Sequence, residues 1–253
     1  MVLISWDGAQ MAHTLEMVER GELPNLRALR DGGGLVETTI TTHGTETTAS
    51  HAEMLTGYPP EVTGVYSLAQ CQPIPRELTV LYRLKQHFGR QNITTVWVSS
   101  NSERISSEPG KPWHQARQDA DVWNDAWHRP NWQTGRLCLD YLRAHARPNE
   151  AFFCFFHFRE PDHSGHQHGE NSPEYDAALI DTDKWLGRIR ETLDELGVGA
   201  STAVLVATDH GFGEDQDHHK NAPDAWLATD WAPVEPGNQR DLAPTVLAAF
   251  GVE

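Results

Sequence analysis

Aspartate, histidine and threonine recur in this chain at the ends of apolar runs, where a fixed backbone can present side chains for chemistry. Asp7 closes the run "VLISWDG". Asp162 and His166 lie in "EPDHSGHQHG", directly after "AFFCFFHF". Asp209 and His210 follow "TAVLVAT", and His218 and His219 come in the next loop. Carboxylate and imidazole together suit Zn²⁺, Mn²⁺ or Fe²⁺. Three aspartates and three histidines from this set are enough for two centres of three protein ligands each. Two cations ~3.5–4 Å apart clamp the attacking and leaving oxygens of a phosphoryl transfer.

A nucleophile for such a reaction is offered by "GTETTASHAEMLTG", Gly44 to Gly57, where Thr45, Thr47, Thr48, Ser50 and Thr56 surround His51. A threonine hydroxyl is too weak an acid to ionise alone near pH 7, and metal coordination is one way to activate it. A helix N-terminus at the same place would aim backbone N–H groups at phosphoryl oxygens. Threonine ahead of an apolar helix also serves as an N-cap, and the residue alone leaves both roles open. Thr45 and Thr48 read as turn and cap residues. His51 falls one turn beyond Thr47 on the same helix face and reads as a supporting residue rather than a ligand. His163 and His168 read as surface residues of a polar loop.

The elements that must position these groups alternate along the chain. "MVLISW", "GLVETTITT", "TTVWVSS" (Thr94 to Ser100), "AFFCFFHF" (Ala151 to Phe158) and "STAVLVAT" have strand character. Between them, "LPNLRALRDGG", "QTGRLCLDYLRAHA", "SPEYDAALIDTDKWLGRIRETLDELG" and "DLAPTVLAAFG" have helical period, and a short helix follows the threonine cluster to end near Gly57. In the longest helix, Tyr175, Leu179, Thr182, Leu186, Ile189 and Leu193 recur at three- and four-residue spacing, with Pro173 suited to the first turn and Gly197 to the stop. This order predicts an α/β fold with a mostly parallel central sheet and helices on both faces. Functional groups of such sheets collect beyond the carboxyl ends of the strands, where the aspartates and histidines fall. The whole chain, 1–253, reads as one domain. Residues 101–132, polar and rich in tryptophan, read as a small specificity insert whose tryptophans serve packing more often than substrate stacking.

Composition narrows the partners. With 36 acidic against 20 basic side chains the formal charge is −16, which argues against a nucleic-acid duplex or an anionic membrane surface as main partner. Bound divalent cations would create a local anion site in this acidic molecule. Cys71, Cys138 and Cys154 form no metal-type spacing and read as free thiols. With no leader and no apolar span visible, the expectation is a cytoplasmic protein acting on a small phosphate ester or nucleotide-type substrate.

The motifs "SWDG", "TETTASHAEMLTGYPPEVTGV", "EPDHSGHQHG", "ATDHGF" and "DLAPTVLAAFG", in this order and over nearly the whole chain, resemble the alkaline phosphatase superfamily, and within it the type I phosphodiesterase/nucleotide pyrophosphatase family. The resemblance implies an alkaline phosphatase-like fold and two divalent cations, Zn²⁺ favoured over Mn²⁺. It places the nucleophile four residues before His51, at Thr47, through a covalent phosphothreonine. It implies that Asp7, Thr47, Asp209 and His210 hold one cation, and Asp162, His166 and His219 the other, with His218 the alternative to His219. Hydrolysis of phosphodiesters or nucleotide pyrophosphates is the activity implied. A phosphomonoesterase or phosphonate hydrolase is the alternative; a phosphomutase, a sulfatase and a non-catalytic metal-binding protein rank lower. The chain departs from the family at "GVYSLAQC", which lacks the family's phosphoryl-binding asparagine and offers only Ser67 or Gln70 in its place.

Overall fold

A computed structural model describes residues 1–232 and 234–252. The strands are β1 (Val2–Trp6), β2 (Gly34–Thr39), β3 (Ile93–Ser99), β4 (Val122–Asp125), β5 (Ala151–Phe158), β6 (Val204–Thr208), β7 (Asp224–Thr229) and β8 (Gly237–Asn238). They form one sheet in the order β4-β3-β5-β1-β6-β7-β2-β8. The pairs β3·β4, β3·β5, β1·β5, β1·β6 and β2·β8 are parallel, whereas β7 runs antiparallel to both β6 and β2.

The helices are α1 (Met11–Glu19), α2 (Pro24–Gly32), α3 (Thr47–Thr56), α4 (Pro60–Thr63), α5 (Val80–Phe88), α6 (Asn131–His145), α7 (Asp162–His168), α8 (Pro173–Glu195) and α9 (Leu242–Ala249). The central strands are apolar on both sides, so each face of the sheet needs its own cover. Ile4, Phe156 and Val206 point to one face, where they pack with Met17, Leu26, Leu142 and Leu186 of α1, α2, α6 and α8. Leu3, Phe155 and Leu205 point to the other, with Met54, Leu84 and Val246 of α3, α5 and α9. In α8, Ser172 caps the first turn through its side chain, Pro173 occupies that turn, and Gly197 just past the helix has φ +69°.

Residues 101–132 do not stand apart from the sheet: they contribute its edge strand β4. Trp123 of this strand stacks on Trp97 of β3 at 4.3 Å, and Trp113 packs on the same ring at 4.9 Å. Trp127 and Trp132 remain exposed. All three cysteines are free, with Cys138 and Cys154 buried. Among the described residues no helix is long and apolar enough to cross a membrane.

Candidate active site

Parallel strands end on the same edge of a sheet, and three neighbours, β5, β1 and β6, each deliver an aspartate there. Asp7 follows β1 directly and its N–H donates to the carbonyl of Phe158 at 3.0 Å. Asp162 opens α7 after β5 and its N–H donates to the carbonyl of Asp7 at 2.9 Å. Asp209 follows β6; its Oδ1 accepts from the N–H of Gly8 at 3.0 Å, and its carbonyl accepts from Gln239 Nε2 at 2.5 Å. The backbone therefore fixes the separation of the three carboxyl groups.

Thr47 is the first residue of α3 and is only 4% exposed. Its Oγ1 lies 3.3 Å from Asp7 Oδ1 and 3.3 Å from His210 Nε2. The preceding Glu46 does not cap the helix with its side chain; its Oε1 accepts instead from the N–H of Leu68 at 2.7 Å. The hydroxyl of Thr47 and the uncapped first turn thus face the same space, the arrangement that suits an anion.

Three histidines are held in one tautomer by the same device. Nδ1–H of His166 donates to the carbonyl of Asp217 at 2.8 Å, that of His210 to Gly211 at 3.0 Å, and that of His219 to Thr45 at 2.6 Å. Each Nε2 is thereby turned toward the carboxylates. His166 Nε2 is 3.4 Å and His219 Nε2 3.9 Å from Asp162 Oδ1, and His210 Nε2 is 3.4 Å from both Asp7 Oδ1 and Asp209 Oδ2. Fixing Nδ1 on a carbonyl and freeing Nε2 is how proteins orient metal-binding imidazoles. Ligand atoms of Asp162, His166 and His219 lie within 4.8 Å of one another, as do those of Asp7, Asp162 and His210. Asp162 belongs to both groups. His218, by contrast, is exposed, and its carbonyl closes a turn with the N–H of Gly213.

The donor set fits divalent cations on two further grounds. Asp162 Oδ1 and Asp209 Oδ2 are buried oxygens with no hydrogen-bond partner, a costly state for a carboxylate unless a cation meets it. The carboxyl groups also crowd one another. Burial would raise Asp7, yet its bonds to His157 and His210 outweigh this and hold it well below the usual range. Burial, and then the charge of Asp7, push Asp162 and Asp209 upward. Burial opposes a charge on His210, but Asp209 and Asp7 overcome it and push it up to about 10. Protons thus hold the cluster together where a cation would replace them, so metal binding here releases protons.

All the residues singled out in the sequence, Asp7, Thr47, Asp162, His166, Asp209, His210 and His219, come together at this edge. His51 supports the frame of the site: its Nδ1–H donates to the carbonyl of Thr47 at 2.8 Å, the same nitrogen lies 3.5 Å from Asp209 Oδ2, and its Nε2 meets Ser5 Oγ at 2.9 Å. Two participants were missed. His157, fully buried in the apolar β5, places Nε2 3.2 Å from Asp7 Oδ2; a lone histidine inside "AFFCFFHF" was the available signal. Thr45, read as a turn residue, holds His219 in place. Thr48 Oγ1 donates to the carbonyl of Arg104 at 3.0 Å, tying α3 to the loop after β3. A polar pocket of about 240 Å³ opens above Thr47, with Asn101, Arg104, Arg159 and His163 among its walls.

The mostly parallel α/β sheet, with Thr47 at a helix N-terminus among aspartates and histidines on its carboxyl edge, has counterparts of the same fold among solved structures. The fold overlays on murine ectonucleotide pyrophosphatase/phosphodiesterase 5, solved as an inactive variant in complex with AMP, with a TM-score of 0.68 at 12% identity over 100% of this chain and 95% of that one. It also overlays on an alkaline phosphatase superfamily protein from Vibrio parahaemolyticus, with a TM-score of 0.66 at 14% identity over 99% and 66% of the two chains. Residues 1–249 match the profile described as Type I phosphodiesterase / nucleotide pyrophosphatase. The chain belongs to that family. It is 26% identical over 227 residues to ectonucleotide pyrophosphatase/phosphodiesterase family member 1 of Mus musculus, a match covering 83% of this chain and 24% of the mouse protein. The chain thus spans about a quarter of the length of that curated relative.

Proposed function

We propose that this protein is a metal-dependent phosphoester hydrolase of the phosphodiesterase/nucleotide pyrophosphatase type, with Thr47 as its nucleophile. The observation that carries the reading is the position of Thr47 Oγ1, 3.3 Å from both Asp7 Oδ1 and His210 Nε2 at the uncapped start of α3. Family membership and the AMP complex of the murine structural relative support a nucleotide-type ester as substrate.

Asp7, Thr47, Asp209 and His210 would hold one divalent cation, Zn²⁺ or Mn²⁺, and Asp162, His166 and His219 a second. When bound, these cations supply charge neutralisation for a threonine alkoxide and for the phosphoryl oxygens. Thr47 Oγ1 gives up its proton to solvent and bonds to phosphorus while the bond to the leaving oxygen breaks; that oxygen takes up a proton. The first-turn N–H groups of α3 face the charge that develops on the phosphoryl oxygens. Water then bonds to phosphorus, the Oγ1–P bond breaks, and Thr47 recovers a proton. His51, bonded to the Thr47 carbonyl, holds the first turn of α3 in place.

The test is acid quenching of Zn²⁺-loaded enzyme during turnover of bis-p-nitrophenyl phosphate, followed by mass spectrometry. A p-nitrophenylphosphoryl group on Thr47 is the expected result, the other p-nitrophenol having left, with turnover reduced at least ~10⁴-fold in Thr47→Ala. Full turnover by Thr47→Ala would exclude the covalent route. The small polar pocket favours phosphomonoester hydrolysis as a second reading.

A further inference from the structure

We propose that Arg159 and Asn101 form the phosphoryl-binding pair of this enzyme, standing in for the asparagine missing from "GVYSLAQC", and that Arg159 selects a phosphoryl group with two negative charges, a phosphate monoester dianion. The inference rests on the phosphoester reading of the Thr47 site.

The segment where the family carries its asparagine cannot do this job. Ser67 Oγ accepts from the N–H of Gln70 at 3.0 Å, the carbonyl of Gln70 accepts from the N–H groups of Tyr66 and Ser67, and Gln70 is exposed. The segment closes on itself, and neither side chain lines the pocket above Thr47.

Arg159 and Asn101 do line it. They sit at the carboxyl ends of β5 and β3, which are parallel neighbours with Ser99 opposite His157. Ser100 stitches the two ends together: its Oγ donates to the carbonyl of His157 at 2.9 Å and accepts from the N–H of Arg159 at 2.8 Å. The loop is tied to α3 as well, through the bond from Thr48 Oγ1 to the Arg104 carbonyl. Thr47, Asn101 and Arg159 are therefore held in one frame.

Both side chains have donors to spare. Asn101 Oδ1 accepts from the N–H of Arg104 at 3.3 Å, which leaves its amide N–H₂ without an acceptor among the described residues. Each is only 8% exposed. The other arginine of the pocket, Arg104, is paired with Glu46 at 3.8 Å, and His128 Nε2 lies 3.6 Å from Glu103. The Arg159 guanidinium has neither an ion-pair nor a hydrogen-bond partner among the described residues. Glu160, Asp7 and Asp162 act on it only from beyond ion-pair distance. A nearly buried, unpaired guanidinium is a costly thing to keep, and its planar fork matches two oxygens of a phosphoryl group. A full second charge on those oxygens strengthens the attraction, so a monoester gains more from Arg159 than a diester does.

The experiment compares Zn²⁺-loaded wild type, Arg159→Met, Arg159→Lys and Asn101→Ala on p-nitrophenyl phosphate and bis-p-nitrophenyl phosphate, with thermal melts as a check on folding. In parallel, inorganic phosphate is titrated calorimetrically into Zn²⁺-loaded Thr47→Ala, with and without Arg159→Met. Arg159→Met is expected to lower monoester kcat/KM about 100-fold or more and diester kcat/KM about 10-fold or less, and to weaken phosphate binding at least about 10-fold. Arg159→Lys should recover part of the monoester loss, and Asn101→Ala should reduce both substrates more evenly. Equal losses on the two esters, or unchanged phosphate binding, would overturn the proposal. If wild type turns over neither ester, the hydrolase reading fails, and phosphate titration still decides the role of Arg159. If Arg159→Met does not fold, Arg159→Lys carries the same comparison: a drop in the monoester-to-diester ratio supports the pair and an unchanged ratio sinks it.

Discussion

His219 and Thr45 hold each other by two bonds in opposite directions: Nδ1–H of His219 donates to the carbonyl of Thr45 at 2.6 Å, and the Thr45 hydroxyl donates back to the carbonyl of His219. The pair fixes the tautomer of the imidazole and joins the segment before α3 to the loop after β6. Thr45→Val keeps the first bond and removes the second. It is expected to weaken Zn²⁺ binding about 10-fold with little change in the Tm of the metal-free protein. Competition titration against a chromophoric chelator checks this, and an affinity equal to wild type would show that the hydroxyl plays no part in orienting His219.

Cation removal should be visible in stability. Asp162 Oδ1 and Asp209 Oδ2 are buried without hydrogen-bond partners, so a cation that reaches them binds the folded chain and not the unfolded one. At a concentration 1,000 times Kd such linkage contributes about 4 kcal/mol, and in a domain of this size each kcal/mol shifts Tm by about 2–4 °C. Zn²⁺ should therefore raise Tm by about 8–16 °C over the chelator-treated protein in differential scanning calorimetry. An unchanged Tm would mean that the cluster does not bind the ion.

Gly8 marks the tightest backbone approach in the site. Its φ is +67°, and a Cβ there would stand 2.8 Å from Asp162 Cβ and 3.0 Å from Asp162 Cα. Neither atom is the end of a flexible chain, so β1 and α7 would have to part. Gly8→Ala is expected to cost about 2–4 kcal/mol in urea denaturation. Gly44→Ala, where nothing lies within 4 Å of the added methyl, is the control and should be near neutral. Equal effects at the two positions would refute the steric account.

His13 ties α1 to the start of α8 and the turn before it, with Nδ1 2.5 Å from Glu170 and Nε2 2.6 Å from Asp176. Burial alone would lower its pKa, but the bonds to Glu170 and Asp176 outweigh that and raise it above 6.5. Because the folded value lies above the unfolded one, the stabilisation is complete below about pH 6.5 and fades as pH rises through the folded pKa. The stability difference between wild type and His13→Gln, from urea melts at a series of pH values, should be largest in acid and shrink toward alkaline pH. A difference that is flat with pH would show that His13 is not charged in the folded state.

What the sequence made legible follows from locality. Asp7, Asp162 and Asp209 directly follow apolar strands, so their placement needed only the rule that parallel strands end together. The choice of His219 over His218 came from resemblance, and only the fold shows one imidazole turned inward and the other exposed. The antiparallel β7 was not legible: "DAWLAT" is short, and strand direction depends on pairing with β2 and β6, which lie far away in sequence. β4 was hidden for a similar reason, since a short edge strand is defined by its neighbour Trp97 more than by its own residues. His157 had one local mark, its isolation inside "AFFCFFHF"; Arg159 and Asn101 had none, because their shared place depends on the pairing of β5 with β3, which lie far apart in sequence.

The antiparallel course of β7 has a consequence for how the site fills. Leaving β6, the chain supplies Asp209 and His210, turns at Gly213–Gln216, supplies His219, and returns along β7. One length of backbone therefore serves both ligand groups, and Asp162 is shared between them. If each group holds an ion, as proposed, the two ions share Asp162 and this loop, so filling one centre must change the affinity of the other.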